Sequence, residues 1–530
     1  MAVDKSTRWT EEADVVIVGY GGAGAITAIN AHDAGARVLI IEKQPSDTPT
    51  QTRHTPNTRM SGGAWFSPTD LEKAMLYLEG MAKIANETLD AERKEIISTF
   101  AQYLVDNPQW LRSIGIDPGP LREMTPTLRE EINTGRRPPI DGEGISGITL
   151  ADFRELAGAD CTSIYIAKSS AGYRNGAALF KAFTDAVATR GIEMMWETSA
   201  EHLVTEDGEV RGIIARRQGK TLAIKARQAV VLTCGGFEFN QWMKENYLRV
   251  NPVHFYGNPG NTGDGINMTI EIGAALWHMN NASWRVTMKF PDFPIAFATQ
   301  RHETASIFVD KRGRRFTNER FKVHAFGYEL TNYDGYALCY PRVPCYWIFD
   351  EKRRALAPLA SYHGACNPPG GIIGDIHYIW SEDNQKEIDR GWIIKANTIE
   401  ELASKILADP DNNGLMSPSV LRETVKQYNE YCHKGEDLDF HKAEHWLQPL
   451  EDPPYYAAKL WPGGPNTQGG PKRNTRAQIL RTDNTPIPRL YSAGELGSVW
   501  GMIYQGGGNI AECIAFGRIA GANAAAEKPW

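Results

Sequence analysis

Hydrophobic positions near the start of the chain form a strand, a helix and a second strand in close succession. Residues 15–18 are all apolar, which predicts a buried strand. Residues 25–34 are rich in Ala and Ile and predict a helix, and the apolar residues 36–41 predict a second strand that ends before Glu42. A strand, a helix and a strand in this order are typical of a parallel βαβ unit.

Apolar and polar positions farther along the chain predict helices and strands in mixed order. Asp207 and Gly208 separate two strand-like runs and predict a hairpin turn. The predicted strands cover residues 201–205, 209–215, 228–237 and 490–495. The predicted helices cover residues 69–115, 176–191, 398–408, 417–433 and 510–526. Residues 116–160 are rich in Gly, Pro and charged residues, which predicts excursions at the surface.

The character of the sequence changes in the middle of the chain. Residues 281–457 are rich in aromatic residues, Pro and turns, whereas the segments on both sides keep the style of the first strands and helix. We therefore predict a first domain made of residues 1–280 and 458–530, with residues 281–457 inserted as a capping domain that carries the substrate. The predicted class is α/β with an inserted α+β domain.

Composition and charge narrow the classes of partner. The 530 residues are 42% hydrophobic and 23% charged, which is ordinary for a globular protein of more than one domain. The net charge of -7 gives no electrostatic reason to bind nucleic acid or an anionic membrane. We expect no membrane span, and the polar N-terminus predicts a cytoplasmic protein without a secretory signal. The seven scattered cysteines predict reduced thiols and no metal site.

The turn between the first strand and the first helix carries a glycine pattern. Gly19, Gly21 and Gly24 have the spacing G-x-G-x-x-G, which allows a tight turn, close approach to a pyrophosphate and close packing of the helix on the strand. The helix N-terminus then faces the phosphates with free N–H groups. Glu42, about 20 residues later, can accept hydrogen bonds from a ribose 2′-hydroxyl. An acid at this position favours FAD or NAD over NADP, and the fingerprint leaves both open.

Several ordered motifs together resemble one flavoprotein family. They lie at residues 14–24, 58–63, 229–237, 262–265, 307–319, 490–495, 506–510 and 516–521. The chain resembles the family that contains soluble fumarate reductases, succinate dehydrogenase flavoprotein subunits and 3-ketosteroid dehydrogenases. This resemblance selects FAD over NAD and implies a Rossmann-like FAD-binding domain of the GR2 type.

The resemblance also assigns parts of the cofactor to residues of this chain. It places Glu42 at the adenosine ribose and Glu495 at the ribitol, and it places the backbone of 508–510 beside the flavin pyrimidine. The helix that starts there has a dipole that favours negative charge on the reduced ring. The FAD-binding residues implied by the resemblance are Gly19, Gly21, Gly22, Ala23, Gly24, Glu42, Lys43, Thr58, Arg59, Ser61, Gly62, Gly63, Gly235, Gly236, Asp264, Gly494, Glu495, Gly508, Asn509 and Ile510.

The covalent members of the family attach the flavin to a His that lies six residues before the Gly-Gly pair. Counting back six residues from Gly62 gives Pro56. We therefore expect noncovalent FAD. The nearby His54 is expected to be a solvated loop residue.

The dicarboxylate clamp of the fumarate reductases is mostly missing. Its His falls at Asn466, one Arg falls at Gln505 or Tyr504, and the proton-donating Arg falls at Val323. Three basic residues lie near the last position: Arg320, Lys322 and His324. Because two guanidinium groups are needed to hold two carboxylates in a bidentate way, a dicarboxylate substrate is not expected.

The segment before the C-terminal glycines resembles the Ser-Val-x-Gly-x-x-Tyr-x-Gly-x-Gly pattern of the ketosteroid dehydrogenases. This resemblance makes the Tyr504 hydroxyl and the Gly508 N–H two donors to a substrate carbonyl oxygen. Such donors stabilise an enolate and acidify the neighbouring C–H, so that the β-hydrogen can leave as hydride to flavin N5. The alternative is that Tyr504 only packs against the flavin.

An acid or base must also exchange the α-proton, and three residues are candidates. His324 has the most suitable ordinary pKa, Tyr328 follows it, and Arg320 can donate a proton in the manner of the fumarate reductases. It is equally open that His324 is an ordinary residue of the capping domain. Aromatic residues that either line an apolar pocket or form the core of that domain are Phe290, Phe293, Phe297, Phe326 and Tyr328.

The sequence thus predicts a two-domain FAD oxidoreductase that interconverts C–C and C=C bonds next to a ketone. The expected substrate is a steroid-like or other bulky cyclic small molecule, and the electron acceptor or donor is left open. A rival hypothesis is an ene-reductase for an unsaturated monocarboxylate, with Arg320 or Lys322 as the partner of the anion. A third hypothesis is a flavin-binding protein without turnover.

Overall fold

The computed structural model describes residues 8–48, 52–133, 140–170, 172–173, 175–300, 305–320, 324–363, 372–373 and 376–530. Its strands, in chain order, are β1 (Glu11–Val18), β2 (Val38–Ile41), β3 (Ala64–Phe66), β4 (Leu121–Glu123), β5 (Gly144–Ser146), β6 (Ser163–Ile166), β7 (Glu193–Met195), β8 (Thr198–Glu206), β9 (Glu209–Arg217), β10 (Lys220–Leu232), β11 (His254–Phe255), β12 (Leu276–Trp277), β13 (Arg285–Met288), β14 (Phe297–Thr299), β15 (Ser306–Val309), β16 (Cys345–Phe349), β17 (Ala360–His363), β18 (Ile372–Ile373), β19 (Ile376–His377), β20 (Ile393–Ala396), β21 (Tyr455–Gly464), β22 (Gly470–Pro471), β23 (Gln478–Leu480) and β24 (Pro486–Ser492). Its helices are α1 (Gly22–Asp33), α2 (Asn57–Met60), α3 (Leu71–Ile84), α4 (Ala91–Ser113), α5 (Pro126–Asn133), α6 (Asn175–Thr189), α7 (Gln241–Tyr247), α8 (Asp264–Ile270), α9 (Glu351–Leu356), α10 (Gln385–Asp389), α11 (Ile399–Leu407), α12 (Pro418–Lys434) and α13 (Gly508–Ala525).

A mostly parallel sheet carries the predicted βαβ unit. Its described strands run in the order β23-β24-β10-β1-β2-β7, and β9 and β8 continue from β10 as an antiparallel arm. Strand β1 is parallel to both neighbours, with Val15 opposite Ala229 on β10 and Val38 on β2. Residues 15–18 of β1 are buried, because a parallel sheet is covered on both faces. The predicted strand, helix and second strand are confirmed.

Helices α1 and α13 pack closely against each other through small residues. A Cβ built on Gly517 would lie 2.9 Å from Ile26 Cγ2, and one on Gly521 would lie 2.5 Å from the carbonyl oxygen of Thr27. Both helices are buried along most of their length. A helix that is buried on all sides has no polar face, which explains why its sequence is rich in Ala, Gly and Ile.

The predicted helix over residues 69–115 is in fact two helices, α3 and α4. The Asp70 carboxylate accepts from the N–H of Lys73, and the Asp90 carboxylate accepts from the N–H of Arg93, both at 2.8 Å. Each aspartate therefore starts a new helix as an N-cap. The segment 116–160 is also less superficial than predicted, since Ile145, Ala151 and Phe153 within it are buried.

A second sheet is built around β21. Its described strands run in the order β15-β16-β21-β13-β14-β17, while β11 and β20 also pair with β21. Strand β21 begins before the predicted boundary at residue 457 and ends after it, and β11 belongs to the segment before residue 281. All three predicted segments therefore contribute strands to the second sheet.

Aromatic residues of the inserted segment form the core beside this sheet. Phe290 stacks on Trp392 with a centroid distance of 4.1 Å, and the ring of Phe293 lies edge-on to Phe297 at 5.2 Å. Phe326 packs in the same way against Phe308 at 5.5 Å. The sequence left open whether these phenylalanines line an apolar pocket or form the core, and in the structure they form the core.

Two kinds of site are not found in the described part of the chain. None of its helices has both the length and the apolar character that a membrane span needs. Within the same residues, no group of three or more His, Cys, Asp or Glu side chains is arranged to hold a metal ion. Six described cysteines are free thiols, and Cys366 lies outside the described residues.

Candidate functional site

Two adjoining cavities lie beside the carboxyl ends of β1 and β10. The first cavity has an empty volume of about 760 Å³ and extends from Glu42 along the glycine turn after β1 to Glu495. The second cavity, called the cleft below, has about 890 Å³ and continues from Glu495 to Tyr504. Residues Asn57, Thr58, Glu495 and Cys513 line both. One long ligand can therefore extend through the first cavity into the cleft.

The glycine turn leaves space for a phosphate group at the start of α1. A Cβ on Gly24 would lie 2.1 Å from the carbonyl oxygen of Gly19, so only glycine allows this contact between helix and turn. The N-cap residue Gly21 supplies no side-chain bond to the helix. Gly21, Gly22 and Ala23 line the first cavity. The positive end of the α1 dipole thus meets the cavity without a protein anion as its cap, an arrangement typical of pyrophosphate sites.

Glu42 lies at one end of the first cavity, and its carboxylate is buried and hydrogen-bonded. It accepts from the backbone N–H of Tyr20 at 2.7 Å and from that of Gln44 at 2.8 Å, and His54 Nε2 lies 3.7 Å from its Oε2. Burial opposes ionisation, but His54 and the two backbone donors outweigh it and lower the pKa of Glu42. Glu42 is therefore charged at neutral pH and can accept hydrogen bonds from ribose hydroxyls.

His54 is not the solvated loop residue that the sequence predicted. Its side chain is 3% exposed. The ring stacks on Tyr20 with a centroid distance of 5.5 Å and meets the edge of Trp196 at 5.0 Å. The prediction was wrong because the loop folds back over the first βα turn and places the imidazole beside Glu42. His54 lines neither of the two described cavities.

Most of the predicted FAD-binding residues line one of the two cavities. Those on the first cavity are Gly19, Gly21, Gly22, Ala23, Glu42, Lys43, Thr58, Gly235, Asp264, Gly494 and Glu495. Those on the cleft are Thr58, Ser61, Gly62, Glu495, Asn509 and Ile510. Lys43 and Asp264 also form an ion pair at 2.6 Å on the cavity wall.

The other predicted FAD-binding residues lie behind these walls. Arg59 pairs with Asp47 at 2.6 Å and donates to the carbonyl oxygen of His54 at 2.8 Å. A Cβ on Gly63 would lie 2.2 Å from the carbonyl carbon of Asn175, and one on Gly236 would lie 2.1 Å from Thr467 Oγ1. In the described structure, Gly24, Arg59, Gly63, Gly236 and Gly508 thus shape the walls by packing.

The fully buried Glu238 and the partly buried Glu495 meet where the first cavity joins the cleft. The Asn57 Nδ2 atom donates to Glu495 at 2.9 Å and to Glu238 at 3.3 Å. Burial raises the pKa of Glu238 to about 7, and burial and the charge of Glu238 raise the pKa of Glu495. Glu238 is fully buried, and its Oε2 has no hydrogen-bond partner. The pair therefore favours a state with at least one proton near neutral pH.

Tyr504 lies on the wall of the cleft, as the sequence predicted. Its hydroxyl oxygen accepts from the N–H of Asn509 at 3.3 Å, and its ring meets Trp500 edge-on at 5.6 Å. Burial raises the pKa of Tyr504, so the hydroxyl keeps its proton at neutral pH. The N–H of Gly508, predicted as the second donor, instead bonds to the carbonyl oxygen of Gln505 at 2.9 Å within the turn.

His324 is the candidate acid or base that the structure brings to the cleft. Its ring meets the ring of Tyr504 edge-on at 4.9 Å. A Cβ built on Gly506 would lie 3.3 Å from His324 Nε2 and 3.5 Å from Asp152 Oδ2. The imidazole and the carboxylate therefore lie beside the same face of Gly506. The Asp152 carboxylate also accepts from the Gly506 N–H at 2.8 Å. Tyr504 and His324 therefore present a hydroxyl and an imidazole to one ligand.

The other two catalytic candidates lie elsewhere. The hydroxyl of Tyr328 donates to the carbonyl oxygen of Met502, so this side chain supports the segment that precedes Tyr504. The Arg320 guanidinium lies 5.0 Å above the ring of Trp446. Neither side chain lines the cleft as described. Lys322 and Val323 lie outside the described residues.

The sequence did not predict that Arg285 and Tyr256 belong to the cleft. Arg285 begins β13 and Tyr256 follows β11, and both side chains line the cleft. Arg285 Nη1 donates to the Tyr256 hydroxyl oxygen at 3.4 Å. They belong to no short motif, and they meet only because β11 and β13 both pair with β21.

Comparison with known proteins decides the family. A family model described as an FAD binding domain matches residues 14–510, which is most of the chain. The chain belongs to the FAD binding domain family. The match begins in β1 and ends in α13, so it includes all the described wall residues of both cavities except Cys513.

Similar members of this family include dehydrogenases and reductases. A 3-oxosteroid 1-dehydrogenase from Mycolicibacterium smegmatis is 27% identical, over 97% of this chain and 98% of that protein. A fumarate reductase (cytochrome) from Shewanella frigidimarina is 26% identical, over 99% of this chain and 80% of that protein. The crystal structure of 3-ketosteroid delta1-dehydrogenase from Sterolibacterium denitrificans matches with a TM-score of 0.74 at 23% identity, over 98% of this chain and 100% of that chain. The predicted relationship is confirmed, and so is the mixed α/β fold of FAD-binding flavoenzymes.

The described residues fit FAD, the cofactor of this family. The glycine turn at α1 suits the pyrophosphate, the charged Glu42 suits the adenosine ribose, and Glu495 at the junction suits the ribitol. The cleft beyond Glu495 suits the flavin ring together with a substrate. The protein is an FAD-dependent oxidoreductase.

Proposed function

We propose that this FAD-dependent oxidoreductase dehydrogenates or reduces a C–C or C=C bond next to a ketone in a steroid-like or other bulky cyclic substrate. The observation that carries the proposal is the Tyr504 hydroxyl on the wall of the cleft, held by the N–H of Asn509. The bound FAD supplies the acceptor or donor of hydride at N5. The residues around the cleft supply the binding, orientation and proton transfer.

Tyr504 is proposed to donate a hydrogen bond to the substrate carbonyl oxygen. Because the Asn509 N–H occupies an acceptor position on the hydroxyl oxygen, the hydroxyl proton is available to a ligand. The raised pKa keeps that proton in place at neutral pH. A buried donor aimed at a carbonyl oxygen stabilises the enolate that forms when the α-proton leaves.

His324 is proposed to take or return the α-proton. Its ring touches the ring of Tyr504, so a carbonyl on Tyr504 would place the neighbouring carbon close to the imidazole. The Asp152 carboxylate lies on the same side of Gly506 as His324 and is suited to orient the ring and to stabilise its charged form. Asp152 is therefore a positioning residue in this proposal.

A second candidate function is the reduction of an unsaturated carboxylate. Arg285 on the cleft wall favours it, because a guanidinium is the side chain that best matches a carboxylate. Of the two cations expected from the sequence, Arg320 lies over Trp446 instead, and Lys322 is outside the described residues. If this candidate is right, Arg285 is the anion partner.

We also propose that FAD binds noncovalently and that the domains divide as the sequence predicts. Pro56 stands six residues before Gly62, where the covalent members of the family have their His, which supports noncovalent binding. Residues 1–280 and 458–530 would form a Rossmann-like domain of the GR2 type, and residues 281–457 would form the cap. The pairing of β21 with β11, β13 and β20 would join the cap to that domain.

A substrate panel tests the proposed function. The FAD-loaded protein is mixed with saturated cyclic ketones and an artificial electron acceptor, and the reduced protein is mixed with cyclic enones. Ketones should reduce the acceptor, and should bleach the flavin when the acceptor is left out, or enones should reoxidise the reduced flavin within seconds. Fumarate and succinate should do neither. Rapid reoxidation by fumarate, with no response to any enone, would reject the proposal.

A further inference from the structure

We infer that the substrate of the cleft is a cyclic ketone that also carries a carboxylate, with Arg285 and Tyr256 binding the carboxylate while Tyr504 binds the ketone. This inference rests on the proposed function and names the substrate class within it. It begins from the Arg285 guanidinium, which lines the cleft and which the binding of a neutral ketone does not require.

The first observation is where Arg285 lies. Its neighbours in β13, Trp284 and Val286, are 0% and 2% exposed, whereas the Arg285 side chain reaches the cleft. Its backbone is fixed by pairing with Gly463 of β21. The guanidinium is therefore placed by the centre of the second sheet, a rigid element, rather than by a surface loop.

The second observation is that Tyr256 connects Arg285 with Tyr504. The Tyr256 hydroxyl accepts from Arg285 Nη1 at 3.4 Å, and its side chain is 1% exposed. Tyr256 and Tyr504 both line the cleft, so one ligand can reach both phenols. A buried tyrosine whose oxygen accepts from Arg285 can donate its own proton to an anion on that guanidinium.

The third observation is the balance of charge around the cleft. Among the described lining residues, the ionisable side chains that carry or can carry positive charge are Arg285 and His324, and Glu495 is the one carboxyl. Glu495 accepts a hydrogen bond from Asn57 and lies beside Glu238, and its burial favours the protonated form. Arg285 is therefore the group on the cleft wall best suited to a carboxylate, which can meet a guanidinium with two parallel hydrogen bonds.

The apolar part of the cleft lining suits more than a small acid. The cleft and the solvent space that opens into it have a volume of about 890 Å³. The flavin ring takes part of this space, and the apolar lining residues Met60, Ala64, Pro465 and Ile510 leave a surface for a bulky ring system. A ligand with two polar ends and an apolar body fits both Tyr504 and Arg285.

The test compares three ligands on the FAD-loaded protein. They are a steroid enone with a side-chain carboxylic acid, the methyl ester of the same compound, and crotonate as a small unsaturated acid. The variants are Arg285→Met, which keeps much of the apolar stem, Arg285→Lys, and Tyr256→Phe. Exposed Arg249→Met is the matched control for loss of one positive charge. Flavin content is measured for every variant.

The expected result is a rise in KM for the acid but not for its ester. Arg285→Met should raise KM for the acid by about tenfold or more, the factor that about 1.4 kcal/mol gives, while kcat stays within about twofold because the carbonyl site is unchanged. Arg285→Lys should restore part of this loss. The ester should respond little to any of these substitutions, and Arg249→Met should behave as wild type with all ligands.

Other outcomes would overturn the inference. An equal loss for acid and ester in Arg285→Met, or a wild type that prefers the ester, removes the carboxylate from recognition. Crotonate that is bound and reduced through Arg285 as well as the larger acid would replace the cyclic ketone by a simple unsaturated acid. If the wild type turns over none of these compounds, the proposed function fails, and the shift of the flavin absorbance on ligand addition then reports whether Arg285 still selects the acid over the ester.

Discussion

The first cavity and the cleft meet at Glu495, but they are built from different parts of the chain. The first cavity is formed mainly by backbone at turns that follow strands, such as the turn from Gly19 to Gly24. The cleft is formed by side chains from distant segments: Tyr256, Arg285, His324 and Tyr504. Backbone shapes at turns require glycines at fixed spacing, whereas side chains on separate elements leave no spacing to find.

This difference predicts separable defects. Changes in the cleft should alter turnover while FAD stays bound, and changes in the first cavity should alter FAD affinity. The cleft predictions concern His324 and Tyr504. The predictions on the FAD side concern Glu42 and, at the junction, Glu238.

The largest effect is expected for His324→Ala. Removing a general acid or base typically lowers the rate by about 10²–10⁴-fold, so kcat should fall by that order on the best ketone or enone. FAD content should not change, since His324 lies on the cleft and not on the first cavity. Steady-state kinetics as a function of pH check this, because the limb of the profile that belongs to the imidazole should disappear. A variant with full activity and an unchanged pH profile makes His324 an ordinary residue of the cap.

Tyr504→Phe should follow with a somewhat smaller loss. Removing one donor to a developing oxyanion typically costs on the order of 10²–10³ in kcat, or about 2.7–4 kcal/mol. The Phe ring keeps the edge contacts to Trp500 and His324, so the flavin spectrum should change little. Tyr328→Phe, which removes a hydroxyl bonded to Met502 behind the cleft, is the control and should lose less activity. Wild-type turnover in Tyr504→Phe would take the hydroxyl out of the mechanism, and loss of FAD would assign it the packing role.

Glu42→Ala should weaken FAD binding without a specific effect on the bound enzyme. The loss of a charge-assisted hydrogen bond to ribose corresponds to about 1.5–3 kcal/mol, or roughly tenfold to a hundredfold in the dissociation constant. Flavin fluorescence during titration of the apoprotein measures it. The kcat at saturating FAD should stay near wild type. An unchanged dissociation constant would show that the first cavity does not hold the adenosine ribose at Glu42.

The smallest effect concerns Glu238 and depends on pH. Its pKa of about 7 lies above its ordinary value of 4.5, so the folded protein holds a proton that the unfolded chain releases between these values. The contribution of this proton to the free energy of unfolding is fully present below pH 4.5 and is lost as the pH rises through about 7. Glu238→Gln stays neutral, so the variant should exceed wild type in unfolding free energy at pH 8 by on the order of 2–3 kcal/mol, and this advantage should vanish near pH 4.5.

Urea unfolding of the apoprotein at pH 5 and pH 8 measures this difference. Glu512→Gln is an informative comparison, because Glu512 is equally buried but is paired with Arg473. It should destabilise at both pH values by leaving a buried guanidinium without its carboxylate. Parallel pH profiles for wild type and Glu238→Gln would show that Glu238 is charged in the folded protein.

The sequence predicted the first sheet and the first cavity well for a physical reason. A buried parallel strand is a continuous apolar run, and a pyrophosphate turn needs glycine at set positions, so β1, α1, β2 and Glu42 could be recognised locally. Tyr504 was singled out because the segment from Ser498 to Gly508 resembles the pattern of the ketosteroid dehydrogenases. The prediction for His54 was wrong, because an imidazole in a polar loop carries no local sign that Tyr20 and Trp196 will enclose it.

The residues that were missed all depend on long-range pairing. Arg285 and Tyr256 come together through β21, and Asp152 reaches Gly506 from a segment that the sequence placed at the surface. Glu238 follows the recognised Gly235 and Gly236, and its partner Glu495 was also recognised, but the Asn57 bridge between them is a tertiary contact. The periodicity of apolar residues along the sequence does not indicate such contacts.

Strand β21 also limits how this protein can be recombined with its relatives. A chimaera that exchanges residues 281–457 would cut β21 after its third residue and would leave β11 facing a foreign partner. A unit that keeps the second sheet whole is larger, from residue 254 to residue 464, and it takes Tyr256 and Arg285 along with the cap. Its exchange would still separate β12 from β22. In such an exchange, the residues proposed to set substrate preference and the strands that join the two sheets would be transferred together.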